Sequence, residues 1–172
     1  CLLSRGLGDV YKRQDNIKPL TWKLLKTFHR NPPNCPFPRS NTVIQSYRKH
    51  KDGLELINSN ASDFVKQQYF SEKNASKVSC LTDNKFPYLL EPGIQHKVLW
   101  FNHRITMSKQ FPRNLNTSPG FIEVCLSKKM PDIETKYEIL YFENLDQCRS
   151  IPGVRHIQVF LKEKELTNDI NV

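Results

Sequence analysis

The stretch Arg149-Ser150-Ile151-Pro152-Gly153-Val154-Arg155-His156-Ile157-Gln158-Val159-Phe160-Leu161 decides how this chain is read. Pro152-Gly153 is turn chemistry and stops whatever precedes it. Beyond it the residues alternate. Ile157, Val159 and Leu161 share one face of a predicted strand. Val154, His156, Gln158 and Phe160 share the other. One face can therefore join a core while the other carries an imidazole and an amide side by side.

Working outward, Tyr137–Phe142 reads as a second strand, and Asn144–Arg149 as a polar turn or short helix. An earlier strand is expected at His96-Lys97-Val98-Leu99-Trp100-Phe101, rich in strand formers. Between them, Ser118-Pro119-Gly120 offers an N-cap followed by Pro at the first helical position. Ile122, Cys125, Leu126 and Met130 then recur at helical spacing, although the alternation of Phe121–Leu126 keeps a strand reading open. In the first half, Val43, Ile44, Tyr47, Leu54 and Ile57 predict a helix over 41–58, capped by Ser40 or Asn41. Asn60 or Ser62 caps a second, with Phe64, Val65 and Tyr69 on one face. Four prolines in Pro32-Pro33-Asn34-Cys35-Pro36-Phe37-Pro38 forbid a helix or central strand and predict an extended connector. The expected fold class is α+β: N-terminal helices packed on a small antiparallel sheet containing 97–101, 137–143 and 155–161.

The 172 residues are 38% hydrophobic, 10% aromatic and 25% charged, the balance of one globular domain. No apolar run approaches the roughly 20 residues that span a bilayer, so no membrane partner is expected. The segment Ser4–Gln14, SRGLGDVYKRQ, resembles a translated transposon-type sequencing adapter. Residues 1–14 are therefore set aside as an artefactual leader. The remaining expected divisions are 15–40, an extended Pro-rich segment with a short helix; 41–162, a single α+β domain; and 163–172, a charged tail that frays. Without Arg5, Lys12, Arg13 and Asp9 the formal charge falls from +9 to +7. Cys35, Cys80, Cys125 and Cys148 then remain, with no C-x-x-C pair. They read as reduced thiols of a cytoplasmic or nuclear protein. No phosphate-binding glycine loop, dinucleotide fingerprint, serine-hydrolase elbow or zincin motif occurs. The histidines and cysteines make no ligand-spaced pair, so neither a metal nor a cofactor is expected. The sequence pI of 9.4 invites a nucleic-acid reading. Basic residues cluster only at Arg48–Lys51 and Lys128-Lys129, and no RNA- or DNA-binding signature appears, so nucleic acid ranks last among candidate partners.

Two motifs carry a resemblance. The first is Asn84-Lys85-Phe86-Pro87-Tyr88, then Glu91-Pro92-Gly93-Ile94-Gln95-His96 and the strand; the second is Phe142-Glu143-Asn144 followed by Arg149–Phe160. Together they resemble the uncharacterised domain family of the fungal N-acetylglucosamine-induced protein, also found in protist and giant-virus proteins. The match covers 82–162 well and 38–72 loosely, through Arg39-Ser40 and Tyr47-Arg48. A second, looser resemblance is to the histidine-triad superfamily of nucleotidyl transferases and hydrolases. It implies His156 as a nucleophile toward phosphorus, and Gln158 and Asn144 as catalytic partners steadying the oxygens. It further implies His96 as a ligand-binding residue and Arg155 or Arg149 as the group that offsets charge; Tyr88 either lines the ligand pocket or covers the core. The chain departs from that pattern at Val154, in the first triad position, and at Asp146. If the second histidine of the motif is the reactive one, Gln158 has replaced it and catalysis is lost.

Three functions therefore compete: an enzyme acting on a nucleotide or sugar-phosphate, a non-catalytic ligand-binding or interaction module, and a weak nucleic-acid binder. The first two expect an anionic small molecule. His96, Asn144, His156 and Gln158 are expected to converge on one concave surface, with Tyr88 near its rim. Against this stands the ordinary alternative that a histidine beginning a strand is a hydrogen-bonded structural residue.

Overall fold

The computed structural model describes residues 18–34, 37–57, 59–106, 118 and 120–165. Its sheet holds β1 (Ser79–Asp83), β2 (Ile94–Phe101), β3 (Tyr137–Phe142) and β4 (His156–Glu163). Their order is β1-β2-β4-β3, and every neighbouring pair is antiparallel. The alternating strand of the opening motif is thus central, and His156 through Leu161 are all buried. Sequence reading found three of the four strands. It missed β1, whose five residues Ser-Cys-Leu-Thr-Asp have weak strand propensity and pair along one flank only, with β2.

Among the described residues six α-helices accompany the sheet: α1 (Trp22–Lys26), α2 (Asn41–Leu56), α3 (Ala61–Phe70), α4 (His103–Thr106), α5 (Phe121–Lys129) and α6 (Ile133–Lys136). Local chemistry starts the first three. The side chains of Thr21, Ser40 and Asn60 accept hydrogen bonds from the backbone N–H groups of Leu24, Val43 and Asp63. Helix α5 begins at Phe121 with Gly120 as its N-cap, instead of Ser118 as the sequence suggested. Gly120 has a φ of 70°, a left-handed conformation that glycine enters at no steric cost.

The two faces of the sheet are covered differently. On one, Leu99, Phe101, Tyr141, Ile157, Val159 and Leu161 pack against Ile122, Cys125 and Leu126 of α5 and Ile133 of α6. On the other there are two separate apolar clusters. Leu20, Trp22 and Leu25 join Tyr88, Leu140, Phe142 and Phe160 at one end. Val65 and Phe70 of α3 join Val98, Trp100 and Val154 at the other. Residues 20–25 are thereby part of the sheet's own core, and Leu20 forms a parallel bridge with Leu90. Between the two clusters lie the polar side chains His96, His156 and Gln158, all buried. Among the described residues no helix is long and apolar enough to cross a membrane.

Candidate functional site

The strand registers assemble the site. Trp100 of β2 pairs with His156 of β4, and Val98 with Gln158. On the other side Phe142 of β3 pairs with Gln158. The ladder ends there, and Asn144 follows two residues beyond the end of β3. Side chains two apart on a strand share a face, so His156 and Gln158 lie next to each other beneath α3.

His156 Nδ1 lies 2.8 Å from the Val154 carbonyl oxygen. A carbonyl can only accept, so Nδ1 carries the hydrogen and Nε2 of the neutral ring keeps its lone pair. Burial pushes the imidazole pKa down to about 4; the Val154 hydrogen bond opposes the shift and Arg149 adds slightly to it. The ring is therefore uncharged at neutral pH. It leans on the Trp100 indole, with centroids 4.9 Å apart.

A cavity of about 150 Å³ opens over these residues. His156, Gln158, Trp100 and Thr82 form its strand wall, while Phe64, Val65 and Tyr69 of α3 face them. Tyr47 and His50 of α2 close one side, with Asn84, Lys85 and Phe86 of the β1–β2 connection. Arg39 also lines it. The Arg39 guanidinium sits 4.8 Å over the Tyr88 ring, and its Nε donates to the Phe86 carbonyl at 2.8 Å. The result is an aromatic chamber lined by two imidazoles, His50 and His156, three primary amides, Gln68, Asn84 and Gln158, one carboxylate, Asp83, and two cations, Arg39 and Lys85.

Of the residues singled out in the sequence, His156 and Gln158 line this cavity. His96 touches it through Gln158: its Nε2 is 2.8 Å from Gln158 Oε1. His96 and Tyr88 themselves line a neighbouring groove, their rings 4.8 Å apart. Burial holds the His96 pKa down at about 3, against a raising contribution from Gln158. Asn144 is buried, with Nδ2 donating to the Tyr88 hydroxyl at 3.4 Å. Its Oδ1 is buried with no hydrogen-bond partner. Arg149 turns away from the cavity to Glu143 at 2.6 Å and Asp146 at 3.1 Å. Arg155 approaches the same Glu143 carboxylate at 3.7 Å.

Sequence reasoning did not pick out Arg39, Lys85, Asn84, Tyr47 or Phe86 as site residues. The signal was present in part. Asn84, Lys85 and Phe86 open the first motif, and Arg39 and Tyr47 fall in the loosely matched region. Nothing in the chain order says that α2 folds over β4.

Comparison with known proteins places these motifs. Residues 21–162 match the family described as "Protein of unknown function (DUF3605)". The N-acetylglucosamine-induced protein 1 of Candida albicans is 30% identical over 52% of this chain. The aligned part spans 36% of that relative, so this chain covers only about a third of its length. A solved structure, "Crystal Structure of HTC1", superposes with a TM-score of 0.56 at 19% identity, over 84% of this chain and 85% of that one. That likeness concerns the α+β fold alone.

Proposed function

The chain belongs to this family of unknown function, and on that premise we propose that its cavity binds a phosphorylated small molecule, a nucleotide or sugar-phosphate, with His156 as the reactive group. The observation that supports this reading best is the state of His156. Its Nδ1–H is held by the Val154 carbonyl, and its uncharged Nε2 stands at the wall of a cavity that also holds Arg39 and Lys85.

A neutral imidazole with a fixed tautomer is a competent nucleophile toward phosphorus. Nε2 attacks the phosphoryl group, a P–N bond forms, and the P–O bond to a phosphate leaving group breaks. The electron pair departs on that oxygen, so the leaving anion needs no proton from the protein. Water then displaces the imidazole and releases its proton to solvent, while Nδ1–H stays on the Val154 carbonyl throughout. Arg39 and Lys85 offset the phosphate charge, because Arg149 and Arg155 are directed to Glu143.

A binding screen with adenosine monophosphate, glucose 6-phosphate and inorganic phosphate tests the pocket. Intact mass after incubation with a nucleoside diphosphate tests the chemistry. The expected result is saturable binding and a phosphorylated or nucleotidylated histidine, with the adduct absent in His156→Ala. No binding by any probe, or turnover unchanged in His156→Ala, overturns the reading. A second reading, a pocket without catalysis, is favoured by one observation: the His156 residue is only 4% exposed, packed against Trp100. It is upheld if the probes bind wild type and no adduct forms.

A further inference from the structure

Two backbone N–H groups of the segment Asn84–Tyr88 point into the polar row beside the cavity. The first is Tyr88 N–H, which donates to His96 Nδ1 at 3.1 Å. A backbone amide can only donate, so Nδ1 is the bare nitrogen and the neutral ring carries its hydrogen on Nε2. That Nε2–H meets Gln158 at 2.8 Å and must find its carbonyl oxygen. The second is Phe86 N–H, which donates to Asn84 Oδ1 at 2.9 Å. This fixes the Asn84 amide, whose Nδ2 faces Gln158 Oε1 at 3.4 Å; it also lies 3.1 Å from His96 Nε2, an approach of two donors to a shared acceptor and not a hydrogen bond between them. Two donors therefore converge on one amide oxygen, each oriented by a backbone group whose polarity is not in question. An amide so held has one remaining direction for its NH2 group. Gln158 lines the cavity beside His156, and no hydrogen bond ties its Nε2 to another described residue.

We propose that His96 and Asn84 are positioning residues that hold the Gln158 amide with its NH2 toward the cavity. The wall beside His156 Nε2 then donates hydrogen bonds and selects a ligand oxygen. Without the relay the amide can rotate by half a turn and present its carbonyl instead. The two buried histidines are thus set in opposite tautomers, His96 as Nε2–H and His156 as Nδ1–H, for different work. The ligand part of this proposal rests on the phosphate reading above; the relay does not.

Long-range proton–nitrogen NMR on the nitrogen-15-labelled 172-residue chain at pH 7 reads both parts. His96 is expected as the Nε2–H tautomer and His156 as Nδ1–H. The Gln158 side-chain amide is assigned by its disappearance in Gln158→Glu. Its shifts are expected to persist in His96→Gln, which keeps a donor at the Nε2 position, and to move in His96→Leu. Asn84→Leu, at a less buried position, is expected to move them in the same way and serves if His96→Leu does not fold. An Nδ1–H tautomer at His96, or a Gln158 amide unmoved by both leucine variants, overturns the relay. Titration with inorganic phosphate is expected to shift the Gln158 NH2 in wild type and in His96→Gln, with at least tenfold weaker binding in the leucine variants. If the tautomers and the amide are as stated but phosphate leaves Gln158 unmoved, the relay stands and the phosphate reading falls.

Discussion

The two faces of one sheet have the same four strands and opposite contents. The face under α5 and α6 is filled by aliphatic and aromatic side chains, among them Leu99, Phe101, Ile157, Val159 and Leu161, each essentially inaccessible. Polar groups reach that face at its rim, where Glu123 Oε1 gathers hydrogen bonds while its Oε2 is buried without a partner. The Tyr141 hydroxyl accepts from Arg30 Nε at 2.8 Å and donates to Glu123 at 2.6 Å. Burial and that carboxylate together push the phenol pKa up. The face under α3 has its apolar residues divided into two clusters with a polar row between them. There His156 and Gln158 line the cavity, and no hydrogen bond ties His156 Nε2 or Gln158 Nε2 to another described residue. A core polar network with every member paired rigidifies a fold. On the proposed reading, the lone pair and the donor beside the aromatic chamber are completed by a ligand.

The sharpest way to break the comparison is to hollow the filled face. Leu126 is 0% exposed beneath the sheet, so Leu126→Ala is expected to cost about 2–5 kcal/mol of unfolding free energy. Urea denaturation measures it. Probe binding in the folded fraction should be unchanged, because the variant removes nothing from the cavity face.

Acid discriminates the faces next. The folded pKa values of His156 and His96 are held down at about 4 and about 3. In the unfolded chain both return to about 6.5. Between these values the unfolded state binds more protons. Stability is therefore complete above about pH 6.5 and falls as the pH drops through the window toward 4 and then 3. Each histidine contributes a slope of about 1.4 kcal/mol per pH unit while only its unfolded form is protonated. The double variant His96→Gln/His156→Gln should flatten the pH dependence of the urea midpoint between pH 4.5 and 6.5. An unchanged slope would mean that these rings are not buried neutral.

A third test concerns how the cavity is roofed. The Pro152-Gly153 turn presses against α3: a Cβ placed on Gly153 would come within 2.7 Å of Ser62 Oγ. Gly153 N–H also donates to that hydroxyl, at 3.2 Å. Gly153→Ala is expected to cost about 1–3 kcal/mol through overpacking. Most of that should return in Gly153→Ala/Ser62→Gly, which removes the obstructing atoms. A double-mutant cycle on urea stability reads the coupling. Strictly additive costs would show that the turn and α3 do not seat on one another.

What the sequence disclosed divides along the same line. The filled face and the central strand were legible, because period-two alternation in 156–161 and helical spacing in 122–130 are imposed by burial itself. Helices α2 and α3 were legible through Ser40 and Asn60, whose caps are local chemistry. The edge strand β1 was not, since its place comes from pairing with β2 and not from its own residues. The cavity was half legible. His156 and Gln158 announce themselves by sharing a strand face, but Arg39 sits beside a proline-rich connector and is brought to the chamber by the Phe86 carbonyl and the Tyr88 ring, far from it in sequence. Arg149 and Arg155 stand near His156 along the chain, yet the fold turns both to Glu143, an interaction that spacing alone does not reveal.

The smallest expected effect sharpens the contrast most finely, because it asks whether solvent enters the polar row. Trp100 Nε1 donates to Thr82 Oγ1 at 3.0 Å, and both residues line the cavity. Thr82→Val keeps the shape and removes the acceptor. On a dry, filled face an indole N–H stripped of its partner costs the desolvation of that group, about 1–3 kcal/mol. Beside a cavity large enough for water the N–H finds a new acceptor, and the net loss is that of an ordinary exchanged hydrogen bond, about 1 kcal/mol or less. The cavity predicts the lower figure, together with a red shift of Trp100 fluorescence as water replaces the hydroxyl. Trp22 lies in the other apolar cluster of the same face, so a Trp22→Phe background isolates the signal. A loss near 3 kcal/mol with no spectral shift would show that this face is sealed like the first, and the difference between the faces would reduce to composition.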